Sequence, residues 1–406
     1  MNTLRLSLTA LGTGCISGGA VALAMGIIGW LSQHLWGPTV IEGLAQRPAL
    51  AWTLPVCGGC GLMLALLHRR GPSTLLPELE DTLQDLRQPA TAPKRHNKRA
   101  ILGAAITQIG GGSVGPEALM SRLAVLISQR LWQGRDRALG EATLAGSFGL
   151  FGAPLLGGAV IRGAGLARWV PGTLGGIAGF AAFHGIDTAT GGSLQRLPYV
   201  WPSNLGEDVG TLAAGLIGGG IGLSLGLLFQ HWRDWLERQD LLNQWRWWPV
   251  LTGLLIGACM HWLPLVPFAG EEQIRPLLEQ SHHHPAWLLL LAALVKLLML
   301  GLCLSTCWRG GIFFPVFVVA CSTGTALHQW LPELGSLGSW CGAITGAMFG
   351  VLLTSPLLAL LQGHGAAGLL VGLACAQWLK QQRRTDGGLP LPPETPGSPE
   401  YPPPRS

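Results

Sequence analysis

Long apolar stretches, broken by short polar ones, run through almost the whole chain. Between Thr3 and Ser32 the single charged residue is Arg5, and Ala286 to Cys307 holds one Lys in an otherwise apolar run. A bilayer core about 30 Å thick needs about 20 apolar residues per helix. By that measure the pattern predicts about ten spans, near 5–32, 48–67, 100–130, 140–165, 170–186, 208–230, 247–265, 286–307, 311–330 and 338–380, the last long enough for two.

Composition narrows this further. The chain is 49% hydrophobic and 12% charged, with a mean hydropathy of +0.39. Soluble domains carry about 25% charged residues, and a soluble protein with this much apolar surface would aggregate. Glycine is abundant, at 60 residues; membrane helices use it for close backbone approach. The run Gly215 to Gly222 reads as helix packing. The first 32 residues are too long an apolar stretch for a signal peptide and show no small-x-small cleavage site, so they read as an uncleaved first span. Cys15 after Gly12-Thr13-Gly14 is only a faint match to a lipid-attachment site. Nine cysteines lie in apolar runs. Cys57-Gly-Gly-Cys60 has CxxC spacing but no partner pair, so its cysteines read as small packing residues. His282-His283-His284 reads as a solvated loop.

Charge asymmetry sets an orientation. His68-Arg69-Arg70, Lys94 to Arg99 and Lys380 to Arg384 are basic clusters flanking spans, and the positive-inside rule makes them cytoplasmic. His231 to Pro249 interleaves tryptophans with Arg233, Arg238 and Arg246, which suits a helix along the cytoplasmic interface. The acidic stretch Pro267 to His284 is expected outside. Residues 385–406 are Pro-rich and read as a disordered cytoplasmic tail.

Two proline-bearing signatures recur in order. Gly110-Gly-Gly-Ser-Val-Gly-Pro116-Glu is followed by Gly152-Ala-Pro154-Leu-Leu; Gly310-Gly-Ile-Phe-Phe-Pro315 is followed by Thr354-Ser-Pro356-Leu-Leu. The offset is 199 residues from Pro116 to Pro315 and 202 from Pro154 to Pro356. This predicts two homologous halves, about 1–204 and 205–384, within one membrane domain of residues 1–384. Inverted repeats are a common transporter plan.

Glycine permits irregular backbone, and proline is favoured in the first turn of a helix. Gly-Gly-x-x-x-Pro inside an apolar run therefore predicts a broken helix that starts within the membrane. Free N–H groups there cannot be left unsatisfied in hydrocarbon. Several such N-termini converging would hold an anion with partial charges alone, weakly enough to let it leave.

Gly112-Ser-Val-Gly-Pro116 and Gly311-Ile-Phe-Phe-Pro315 resemble two of the three signatures of the CLC chloride channel and transporter family. Ser73-Thr74-Leu-Leu-Pro77-Glu78 is a degenerate form of the third. The resemblance spans roughly residues 5–384. It implies an all-α polytopic membrane protein, two halves in inverted repeat, and broken helices meeting at a midplane anion site. It further implies a homodimer in the inner cell membrane, multi-pass with both termini cytoplasmic. It implies chloride or a similar small anion as substrate and the lipid bilayer as partner. No cofactor, metal, nucleic acid or enzymatic activity is implied. Carried over by position, the anion contacts are the Thr74 hydroxyl, the helix start at Val114 and Gly115, and the N–H groups of Ile312 and Phe313. The family's pore tyrosine has no counterpart at a matching place.

Two departures decide the expected mechanism. Gated and exchanging members carry a glutamate at the position of Val114, where valine can neither compete with the anion nor carry a proton. Glu117, three residues on, reads as an ordinary first-turn cap, with a displaced gate as the alternative. The inner proton glutamate, about ten residues after Ala-Pro-Leu in the family, is also missing, since Val160 to Ala164 holds no carboxylate. The expectation is passive chloride conduction, the alternative a proton-coupled antiporter. Among intramembrane charges, Lys296 could add positive potential at the outer vestibule or pair at a helix interface. Arg122, Arg162 and His184 are the others. An enzyme would need a pair such as His184 with Asp187, around which no motif is recognisable.

Overall fold

The structure, a computed structural model, describes residues 3–43, 47–68, 97–132, 137–148, 166–190, 209–280 and 284–352, together with positions 374 and 377. Thr74, the Ala153-Pro154 and Ser355-Pro356 segments, the 204/205 boundary and the tail 385–406 lie outside the described residues.

Among the described residues every regular element is helical. In the first half these are α1 (Thr3–Trp36), the short α2 (Pro38–Ile41), α3 (Leu50–His68), α4 (Asn97–Ile109), α5 (Glu117–Trp132), α6 (Arg137–Ser147) and α7 (Leu166–Ala189). In the second they are α8 (Val209–Gln239), α9 (Leu241–Gln244), α10 (Trp248–Trp262), α11 (Ile274–Glu279), α12 (Ala286–Ser305), α13 (Phe313–Trp330) and α14 (Leu337–Leu352). Four of them, α1, α3, α8 and α12, are long and apolar enough to cross a membrane; α10 and α14 are shorter apolar helices.

The stretch 100–130, counted by length as one span and read from its glycine-proline motif as a broken helix, is two helices. Three consecutive glycines and Pro116 stop α4 at Ile109 and restart the chain at Glu117, because proline lacks the N–H that an uninterrupted helix would use. The separate interfacial helix predicted after His231 is also corrected. Nothing between Gly226 and Gln239 breaks a helix, so α8 runs on through Trp232 and Trp235, whose rings stack at 5.2 Å. Its 31 residues reach about 46 Å, well beyond a hydrocarbon core of about 30 Å.

Apolar character is sorted by depth. In α13 every residue from Phe313 to Ala326 is buried, and in α14 every residue from Gly338 to Val351. A helix apolar on all sides belongs inside a bundle. In α1, Leu23, Ile27 and Trp30 are mostly exposed, while Val21, Ala22 and Met25 are buried; its outer face is fit for lipid.

Glycines set the closest crossings. Gly14 and Gly18 of α1 lie against Gly175 and Gly179 of α7, and Gly146 of α6 closes the triangle on Gly14. At each of these a Cβ would strike the partner's backbone. The run at 215–222 behaves alike: Gly218 and Gly222 of α8 receive Ile344 of α14. Cys57 is buried beside Met260, Cys60 packs on Gly110, and the described cysteines are all free.

Candidate anion site

Both glycine motifs come to one place. Gly115 N–H donates to the Gly311 carbonyl at 2.7 Å, and Gly311 N–H returns the bond to Gly115 at 2.8 Å. The result is an isolated antiparallel bridge between segments almost 200 residues apart. Side chains are excluded here, because a Cβ on Gly310 would meet the Gly115 carbonyl at 2.5 Å and Val114 Cγ2 at 2.6 Å.

The first motif is held by its own neighbours. Gly112 N–H donates to Thr107 O and Val114 N–H to Gly112 O, both at 2.8 Å. Gln108 Nε2 donates to the Val114 carbonyl at 3.0 Å. Gly111 sits at φ 81°, a left-handed conformation that costs glycine little. Its carbonyl accepts the Phe268 N–H at 2.9 Å. Val114 is fully buried. The amides of Val114 and Gly115, expected to face an anion, are therefore already donated to protein carbonyls. The first half contributes shape here and few free donors.

Donors come from the second half. α13 starts at Phe313 after Ile312, with Pro315 in its first turn, and its opening N–H groups lack carbonyl acceptors within the helix. Phe313 is fixed by its ring, stacked on Phe349 at 4.8 Å. Onto this N-terminus comes the carboxylate of Glu117. Its Oε1 accepts the Phe314 N–H at 3.4 Å, and the Phe313 N–H lies within hydrogen-bonding range. Glu117 is 6% exposed, and its Oε2 is buried with no hydrogen-bond partner among the described residues. That oxygen faces the Cα positions of Gly115 and Gly311, and neither tolerates a Cβ because of it. Glu117 thus sits in the first turn of α5 and also reaches the start of α13. A carboxyl group stands at the helix start where the sequence leads one to expect the anion.

Lys296 is buried inside the protein. It is 1% exposed, and its Nζ, with three N–H donors, lies within hydrogen-bonding distance of five oxygens. These are the carbonyls of Leu265 (3.0 Å), Val266 (3.1 Å), Pro267 (3.4 Å) and Phe268 (3.1 Å), and Oε1 of Gln273 (3.1 Å). Phe268 (φ 64°) and Gly270 (φ 108°) turn the chain so that these carbonyls converge. The ammonium gathers the 264–273 loop, and Phe268 in turn docks that loop on Gly111. Gln273 and Gln108 stand out in sequence only as amides within or beside apolar runs, so spacing does not single them out.

The remaining charges divide. Arg122 is buried; His184 is exposed, its ring stacked on Phe180, while Asp187 three residues on is buried. The suggested pair is thus split between surface and interior. Among the described residues no cluster of histidine, cysteine, aspartate and glutamate could hold a metal ion.

The voltage gated chloride channel family matches residues 59–376. No curated protein matches the chain. Among solved structures, a slow cyanobacterial Cl−/H+ antiporter superposes with a TM-score of 0.71 at 18% identity, covering 95% of this chain and 96% of its own. A CLC-type fluoride/proton antiporter gives 0.69 at 19% identity, covering 93% and 96%. A eukaryotic CLC transporter gives 0.61 at 16%, covering 92% and 72%. At these identities the likeness is one of fold.

Proposed function

Because the chain belongs to the voltage-gated chloride channel family, we propose that it carries a small anion, chloride in the first instance, passively through the bilayer at the Gly115–Gly311 site. Glu117 is the group that the anion displaces. The observation that carries this reading is the Glu117 carboxylate on the α13 N-terminus, since whatever binds one anionic group at that position can bind another. Passive movement is supported by the buried, apolar Val114 and by the absence of a carboxylate from Val160 to Ala164.

Proton-coupled antiport is a second reading, favoured by one observation: Glu117 is a titratable group in the anion's place. The two antiporter structures of like fold lean the same way.

The chain is read as a homodimer in the inner membrane with cytoplasmic termini, the basic clusters at 68–70, 94–99 and 380–384 supplying the orientation. Its membrane unit comprises halves at about 1–204 and 205–384, followed by the 385–406 tail.

The test is ion flux in liposomes with chloride and pH gradients imposed separately. The passive reading expects chloride to move without a fixed proton count. Uphill proton movement driven by chloride alone would replace it with antiport, and absence of any anion flux would sink both.

A further inference from the structure

The loop that Lys296 gathers lies at the end of the bundle away from His68. α3 and α10 pack antiparallel, with Gly61 against Pro249 and Gly257 against Thr53, so α10 ends level with the start of α3. Between this loop, α1 and α4 is a cavity of about 30 Å3. Ser32, Gln108, Phe268, Glu271, Glu272 and Gln273 are among its lining residues. A buried water needs about 10–15 Å3 of cavity and roughly 2–4 polar partners, so the space takes one or two waters.

Inward, the cavity backs on the first glycine motif. Gln108 in its wall donates to the Val114 carbonyl, and Phe268 donates its N–H to Gly111. Outward, it runs from Glu271, 7% exposed, to the half-buried Glu272. Glu271 is close enough to Glu117 for their charges to act on each other, and Lys296 feels Glu271 as well. The other elements at the loop present neutral groups here: Ser32 from α1, Gln108 from α4 and Val318 from α13. Arg275, further along, is exposed and paired with Glu279 at 2.8 Å. Glu117 itself is 6% exposed, with Gly115 and Gly311 packed on its Oε2, so a proton has to reach it through the protein.

We propose that Glu271 is the proton partner of Glu117. A proton entering by the cavity binds the Glu271 carboxylate and passes on through cavity water to that of Glu117. Glu271 is left ionised beside Lys296, and no other bond is made or broken. Two carboxyl groups that feel each other away from water titrate as a pair, in two steps spread along the pH axis. The proposal rests on the reading of Glu117 as the group the anion displaces.

The experiment is chloride efflux from liposomes holding the full chain, measured between pH 4 and pH 9 with equal pH on both sides. Wild type, Glu117→Gln, Glu271→Gln and Glu271→Asp are compared. The wild-type rise in flux is expected to be broader than the titration of one group. Glu271→Gln narrows it to a single titration and moves the half-rise about one pH unit lower, because the like charge beside Glu117 is gone. Glu271→Asp, which keeps a carboxyl group there, keeps the breadth. A Glu271→Gln flux scaled equally at every pH marks a structural role and overturns the proposal. A wild-type rise that follows a single titration overturns it too, whether or not Glu271→Gln folds. A wild type flat with pH, or a Glu117→Gln variant that keeps the pH response, overturns the reading of Glu117 itself. A flat Glu117→Gln alongside a Glu271→Gln profile like wild type removes Glu271 alone.

Discussion

Glu117 Oε1 stands 3.4 Å from the backbone nitrogen of Phe314, a residue 197 positions further along the chain. One side chain from the first half thus caps a helix of the second, and it does so at the centre of the proposed route. A hydrogen bond to a charged group is worth about 1.5–3 kcal/mol, or about tenfold or more in occupancy. An anion arriving at α13 has to compete with it.

Removing that charge is therefore expected to favour the anion. Glu117→Gln should raise chloride flux at neutral pH about tenfold and make it insensitive to pH. In the wild type, protonation neutralises the same group, so flux rises as pH falls. Efflux from liposomes at pH 7.5 and pH 5 checks both statements; a pH-flat wild type would count against the assignment.

Gly311 and Glu117 are predicted to be coupled. A methyl at Gly311 strikes the Glu117 carboxyl group, so Gly311→Ala should cost about 1–3 kcal/mol of stability. In a Glu117→Ala background part of that cost disappears. The double-mutant cycle, read by thermal unfolding in detergent, is expected to give a coupling of about 0.5–3 kcal/mol; strict additivity excludes the contact.

Lys296→Met is expected to destabilise by about 3–5 kcal/mol, the scale for breaking a buried charged group's network. It leaves the Leu265 to Phe268 carbonyls without their donor. Lys296→Arg is no rescue, because a planar fork cannot address five oxygens arranged around a point. Hydrogen exchange over 264–273 reports the result, and protection equal to wild type in Lys296→Met would refute it.

Gly175→Ala and Gly179→Ala place a methyl on the backbone of α6. Each is expected to cost about 1–3 kcal/mol, whereas Gly185→Ala, where the space is open, should be silent or stabilising. Unfolding temperatures of the three variants check the contrast.

Much of this was written plainly in the chain. The breaks at Gly110–Pro116 and before Pro315 follow from residues whose backbone preferences are local, so the helix starts at Glu117 and Phe313 were legible. The glycine run at 215–222 announced close packing for the same reason. What a side chain touches is a different matter. Nothing in the first-turn position of Glu117 says that its carboxylate leaves α5 for α13, and Lys296 in an apolar run carries no sign of the Leu265–Phe268 carbonyls. Both depend on contacts between segments far apart in sequence. The amides of Val114 and Gly115 illustrate the converse, since their carbonyl partners are set by the path of a loop.

The pair of hydrogen bonds between Gly115 and Gly311 bears on how the protein can move. A transporter that rocks one half against the other parts them around its substrate. Here the Gly115 and Gly311 segments are tied to each other, and parting them would break both bonds. Rotation of the Glu117 side chain leaves the tie intact. Side-chain rotations are orders of magnitude faster than collective domain motions, so on the proposed route the part free to move is a single carboxylate beside a fixed seam.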